Sequence, residues 1–170
     1  MLTCAASTLG KILLSKAMTP KQPIAWMEYA LALAAEAATK GEVPVAAVII
    51  NSASKEKIAE AHNEVEVRAD PTAHAELLAI RGACEQLGTP RLVGYEMIVT
   101  LEPCPMCAQA ISFARLDRVC FAAYDAKGGG VDHGARIFAA SSCHHQPEII
   151  GGIKEEAAGK LLQQFFQNKR

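Results

Sequence analysis

Met97-Ile98-Val99-Thr100-Leu101-Glu102-Pro103-Cys104-Pro105-Met106-Cys107 changes character twice. The apolar run Met97 to Leu101 reads as a buried strand. Proline lacks an N–H and fixes its φ, so Pro103 and Pro105 are tolerated only in the turn that opens a helix. That helix reaches to about Arg115, and Arg118 to Ala123 reads as a further strand. A helix between two strands means a crossover and parallel pairing.

The flanking segments follow the same alternation. Between Ile24 and Thr39, residues Met27, Ala30, Leu31, Ala34 and Ala38 recur at helical spacing, and Gly41 follows as a stop. Val43 to Ile50 reads as a strand with Pro44 near its start. The polar stretch Asn51 to Lys57 then turns the chain into a second strand ending near Asn63, giving an antiparallel hairpin. His74 to Gly88 reads as a helix, with Asp70 or Thr72 as its cap and Pro71 at its first position. A last helix runs from about Lys154, anchored by Leu161, Leu162 and Phe165. The expected fold is α/β, a three-layer α/β/α sandwich on a mixed, roughly five-stranded sheet.

Three residues in these helices have a common chemistry. Cys104 and Cys107, three apart, share one helix face, and His74 lies at the start of the other helix. One imidazole and two thiolates are a ligand set for zinc, and three protein ligands leave the fourth tetrahedral position to water. Helix N-termini favour anions, so two such ends facing each other would stabilise the thiolates. Glu76 is surplus to the ligand set and two residues from His74, which places it to take and return the proton of a water activated by the metal. A Cys-x-x-Cys pair alone also fits a thioredoxin-like redox motif. That reading leaves His74 and Glu76 without a role.

The pattern H-x-E followed by P-C-x-x-C is a known signature of zinc nucleobase deaminases. Beyond it, P-T-A-H-A-E, V-T-L-E-P-C-x-M-C-A, Y-D-A-K-G-G and the closing L-L-x-x-F-F resemble the bacterial tRNA-specific adenosine deaminases from about Trp26 to Arg170. The resemblance implies a cytidine deaminase-like fold and one zinc ion (Zn2+) per subunit. It also implies hydrolytic deamination of adenosine to inosine at the tRNA wobble position, in a cytoplasmic homodimer bound to the anticodon stem-loop. By the same resemblance Asn63 hydrogen-bonds the base, and backbone groups at Ala75 and near Glu102 hold the ring and its exocyclic nitrogen. Asp125 and Lys127 would contact the anticodon loop, Phe166 would line the base pocket, and Lys169 and Arg170 would lie beside the RNA. His144 stands where most relatives have an asparagine that contacts a nucleotide.

The whole chain bounds these readings. At 170 residues it is most simply one domain, expected over residues 23–170 behind a flexible extension over residues 1–22. That extension admits a transit-peptide reading but lacks arginine, and a start at Met18 fits as well. No apolar run reaches the length of a membrane span. With Cys104 and Cys107 claimed by the metal, the scattered Cys84, Cys120 and Cys143 point to a reducing compartment. A net charge of −1 gives no bulk attraction for nucleic acid, so RNA binding would need local basic patches. The charge leaves open a deaminase of a free base or nucleoside such as guanine, cytosine or cytidine. A non-catalytic zinc subunit that presents RNA to a partner would be expected to lack Glu76. Gly128-Gly129-Gly130 reads as a mobile connection, Cys143-His144-His145 as a weak second metal candidate, and the apolar Ala108–Ala114 stretch as a possible dimer face.

Overall fold

The computed structural model describes residues 23–169, so the extension expected over residues 1–22 and the contact expected of Arg170 lie outside the described residues. Helices α1 (Pro23–Thr39), α2 (Val65–Arg68), α3 (Ala75–Leu87), α4 (Pro105–Ala114) and α5 (Glu155–Asn168) accompany five strands. These are β1 (Ala46–Asn51), β2 (Lys57–His62), β3 (Tyr95–Leu101), β4 (Arg118–Ala123) and β5 (Glu148–Ile150). The sheet order is β2-β1-β3-β4-β5. β1 pairs antiparallel with β2 and β3, whereas β3, β4 and β5 run parallel. The mixed five-stranded sandwich expected from the alternation is therefore present.

Strand alternation divides the core into two layers, because successive side chains point to opposite faces of a sheet. Ala47, Ile49, Met97, Val99, Val119 and Phe121 face α3 and α4. Val48, Ile50, Ile98, Cys120 and Ala122 face α1 and α5. With both faces covered, β1, β3 and β4 are buried along almost their whole length, which is why Ala46 to Ile50, Met97 to Val99 and Val119 to Ala123 read as apolar runs rather than alternations. At the lower end of β3 the buried Glu96 is held between Lys55 and Arg118.

Several boundaries differ from the sequence reading. Pro44 precedes β1 instead of lying within it, and β3 begins at Tyr95. Asp70 does not cap α3. Its Oδ1 accepts hydrogen bonds from the Thr72 N–H and hydroxyl, closing a turn that holds Pro71, and His74 is the capping residue. The short helix α2 and the short edge strand β5 carry too few residues for any periodicity to appear. Within the Ala108–Ala114 stretch, Ala108, Ile111 and Ala114 are buried in this chain's own core, and Phe113 is 63% exposed. Among the described residues no helix is long and apolar enough to cross a membrane.

Candidate active site

His74 is the N-cap of α3, Cys104 is the N-cap of α4, and Pro105 takes the first helical position of α4. Neither capping side chain bonds to the N–H groups of its own helix. A conventional Ser, Thr, Asp or Asn cap stabilises a helix by about 0.5–2 kcal/mol. Both positions forgo that contribution, and their side chains meet each other instead. His74 Nδ1 lies 3.7 Å from Cys104 Sγ and 3.6 Å from Cys107 Sγ. Among the described residues this is the one His/Cys/Asp/Glu group whose ligand atoms all converge.

The spacing can be compared with zinc. With Zn–S near 2.3 Å and Zn–N near 2.0–2.1 Å, a tetrahedron places nitrogen and sulfur about 3.6 Å apart. Both nitrogen–sulfur distances therefore fit zinc, and all three ligand atoms lie within 4.8 Å of one another. Their protonation is strongly coupled. The Cys107 S–H, with help from His74, pulls Cys104 down to about 4, while the Cys104 thiolate and burial push Cys107 up. The Cys104 sulfur holds His74 above the usual imidazole range. One thiolate is thus preformed at neutral pH, and the second proton must leave when a metal enters.

Glu76 lies in the first turn of α3 and is 4% exposed. Burial raises its pKa above the ordinary carboxylate range, which suits a group that must hold a proton as well as accept one. His74, Glu76 and Cys104 line a cavity of about 370 Å³ together with Glu42, Val43, Val45, Asn63, Glu102 and Asp125. Small-molecule sites run from about 300 to 1,000 Å³. The space admits a single base.

The remaining expected residues fall into two groups. Asn63 and Asp125 line the cavity, and Ala75 is buried at the first position of α3. Lys127 and His144 are exposed outside it. Phe166 does not line it. Phe165 takes the inward position on α5, so the next residue turns outward and is 50% exposed, edge-on to Phe165 at 5.4 Å between ring centroids. Lys169 donates to the Gly41 carbonyl and sits over the Phe165 ring. Cys143-His144-His145 is not a metal cluster: Cys143 Sγ donates to the His145 carbonyl, and His145 Nε2 donates to the Leu116 carbonyl.

Glu102 proved more than a neighbour of the base. Its Oε1 accepts from the N–H groups of Val131, Asp132 and His133, and its Oε2 from the Asp125 N–H and the His133 ring. Burial opposes its ionisation, yet the donors of His133, Asp125 and Asp132 together hold it below the ordinary carboxylate range. The glycine run is consequently tight, not mobile. A Cβ on Gly129 would stand 2.5 Å from the Glu102 carboxylate, and one on Gly130 would stand 2.5 Å from the Pro105 nitrogen. The N–H groups of Gly128, Gly129 and Gly130 all bond within the protein, so the run cannot cradle a phosphate through them. Glu42 was likewise not anticipated: it is 1% exposed and faces the cavity.

Comparison with known proteins agrees with this geometry. Residues 20–123 match the family described as cytidine and deoxycytidylate deaminase zinc-binding region. A tRNA-specific adenosine deaminase of Agrobacterium fabrum is 46% identical over 145 residues, covering 85% of this chain and 94% of that protein. A solved structure from a study of A-to-I editing by tRNA:A34 deaminases superposes with a TM-score of 0.78 at 45% identity, covering 81% of this chain and 99% of its own. A guanine deaminase from Nitrosomonas europaea shares the fold, with a TM-score of 0.77 at 22% identity and 96% of both chains covered.

Proposed function

The chain belongs to the tRNA-specific adenosine deaminases, within the cytidine and deoxycytidylate deaminase zinc-binding family, and from that premise we propose that it hydrolyses adenosine to inosine at the wobble position of tRNA. The observation that carries the chemistry is the convergence of His74, Cys104 and Cys107 at zinc spacing beside the buried Glu76 in one base-sized cavity. His74, Cys104 and Cys107 would hold the ion, which when bound supplies the Lewis acidity that activates water near neutral pH. Glu76 accepts a proton from the attacking water and delivers it to the adenine ring nitrogen next to C6. Oxygen adds to C6, Glu76 passes a further proton to the departing amine, and ammonia leaves. Asn63 is the group proposed to hold the base, and backbone groups at Ala75 and near Glu102 are proposed to hold the ring and its exocyclic nitrogen.

The substrate in this reading is the anticodon stem-loop, held by a cytoplasmic homodimer. Flipping a base out of a structured loop costs a few kcal/mol, so the flanking nucleotides must be gripped outside the cavity. The exposed Lys127 and Phe166 are the proposed phosphate and stacking contacts, and the half-buried Asp125, which lines the cavity, is a further proposed contact to the loop. A stem-loop with adenosine at the wobble position, assayed beside free adenosine, guanine, cytosine and cytidine, tests the proposal. Inosine should form in the stem-loop far faster than any free compound is turned over. Binding should weaken with salt, and Lys127→Ala should flatten the log–log slope by about 0.7, one single-strand phosphate contact. Turnover of a free base with no inosine in the stem-loop would overturn the substrate and leave the metal chemistry standing.

A further inference from the structure

Asn63 sits in the cavity wall with its main chain held on both sides. Its N–H donates to the Val45 carbonyl. Its own carbonyl lies 2.9 Å from His62 Nδ1, and because a carbonyl only accepts, Nδ1 must carry the proton. The other ring nitrogen, Nε2, then has a lone pair and accepts from the Lys40 ammonium at 3.0 Å. The backbone is thus fixed, and what remains free is the direction in which the side-chain amide points.

An amide has a donor end and an acceptor end of nearly the same shape, and only its partners decide between them. Glu42 is that partner. Its Oε2 lies 3.3 Å from Asn63 Nδ2, and its Oε1 accepts the Val67 N–H of α2 at 2.8 Å. An ionised carboxylate only accepts, so a flipped amide would set oxygen against oxygen in a buried site. We infer that Glu42 is a positioning residue that fixes the direction of the Asn63 amide, and so decides which hydrogen-bonding groups the cavity presents to the base. One N–H of Asn63 is committed to Glu42, leaving its second N–H and its Oδ1 in one defined arrangement. Glu42 acts through Asn63, whereas Glu76 is the residue proposed to exchange protons with the reacting groups.

The inference rests on the base-binding role proposed for Asn63, and a double-mutant cycle tests it separately from the activity. Binding of the wobble-adenosine stem-loop is measured in a Glu76→Ala background, so that no turnover intervenes. Glu42→Gln keeps the size and offers either amide end, and it should weaken binding about tenfold, as expected for one buried hydrogen bond. In an Asn63→Ala background the same change should weaken binding less than about twofold, because the two residues act as a unit. Glu42→Asp, whose carboxylate falls short of Asn63, should behave the same way if Glu42→Gln does not fold. Melting temperature and zinc content identify which variant is folded. An equal loss in both backgrounds would mean that Glu42 acts only through α2, and no loss in either would mean that Asn63 needs no guide. Either result overturns the inference. Failure of the wild-type enzyme to form inosine in the stem-loop would instead count against the proposed function.

Discussion

Replacement of Glu102 by glutamine isolates the carboxylate that ties the loop from Asp125 to His133 to the site. Glutamine can leave its oxygen with the three N–H groups of Val131, Asp132 and His133. Its NH2 then faces the Asp125 N–H and the His133 ring. The ring can change tautomer and accept, so the Asp125 N–H alone is orphaned outright, while the retained bonds lose their charge assistance. An orphaned buried donor costs about 1–3 kcal/mol, and with the weakened bonds the total is about 2–4 kcal/mol. For a domain of this size that lowers the melting temperature by roughly 4–16 °C. Calorimetry at neutral pH on zinc-loaded protein measures it, and hydrogen exchange at Asp125, Val131, Asp132 and His133 should accelerate. The difference also depends on pH. Because the folded pKa of Glu102 is depressed, its stabilisation is fully present above the unfolded value near 4.5 and is lost as pH falls through the lower folded value. The gap between wild type and Glu102→Gln should therefore narrow only below about pH 4.5. A shift under about 2 °C at neutral pH would refute the claim that this one carboxylate holds the loop.

Glu76→Ala should retain zinc and fold while single-turnover deamination falls by about 10²–10⁴-fold, and a fall of less than about tenfold would remove Glu76 from the proton transfers. Zinc binding to metal-free protein should release at least about one proton, that of Cys107, with His74 contributing more as pH falls. Calorimetry in buffers of different ionisation enthalpy counts those protons, and a count near zero would contradict the shared-proton arrangement of the two sulfurs.

The metal ligands were legible in the sequence because zinc accepts few donor types, and because a capped turn and a proline-opened helix fix where His74, Cys104 and Cys107 must sit. The sandwich was legible because helical and strand periods alternate along the chain. What escaped has a physical reason in each case. Val65-Glu66-Val67 alternates as a strand would, yet forms helix α2, whose Val67 N–H is anchored on Glu42. Glu42 reads as one polar residue between Gly41 and Val43, because its partners lie 21 and 25 residues further along the chain. The glycines of Gly128-Gly129-Gly130 have the same composition whether loose or tight, and only the distant Glu102 and Pro105 decide between them. Phe165 docks as its helical spacing with Leu161 and Leu162 indicates, whereas Phe166, expected to line the pocket, is the next residue on α5 and is turned outward by that docking.

His74 and Cys104 are 30 residues apart, and the segment between them contains β3, the strand hydrogen-bonded on one side to β1 and on the other to β4. During synthesis the Cys104 and Cys107 pair is local, but the imidazole joins it only once β3 is seated. Until then the chain offers two neighbouring cysteines, whose sulfurs, once deprotonated, suit thiophilic ions such as Cu(I) as well as zinc. The three-donor tetrahedral corner exists only after the sheet closes. Completion of the sheet is therefore also a step of metal discrimination, in which an ion acquired too early must either accept the imidazole and the geometry it imposes or be exchanged.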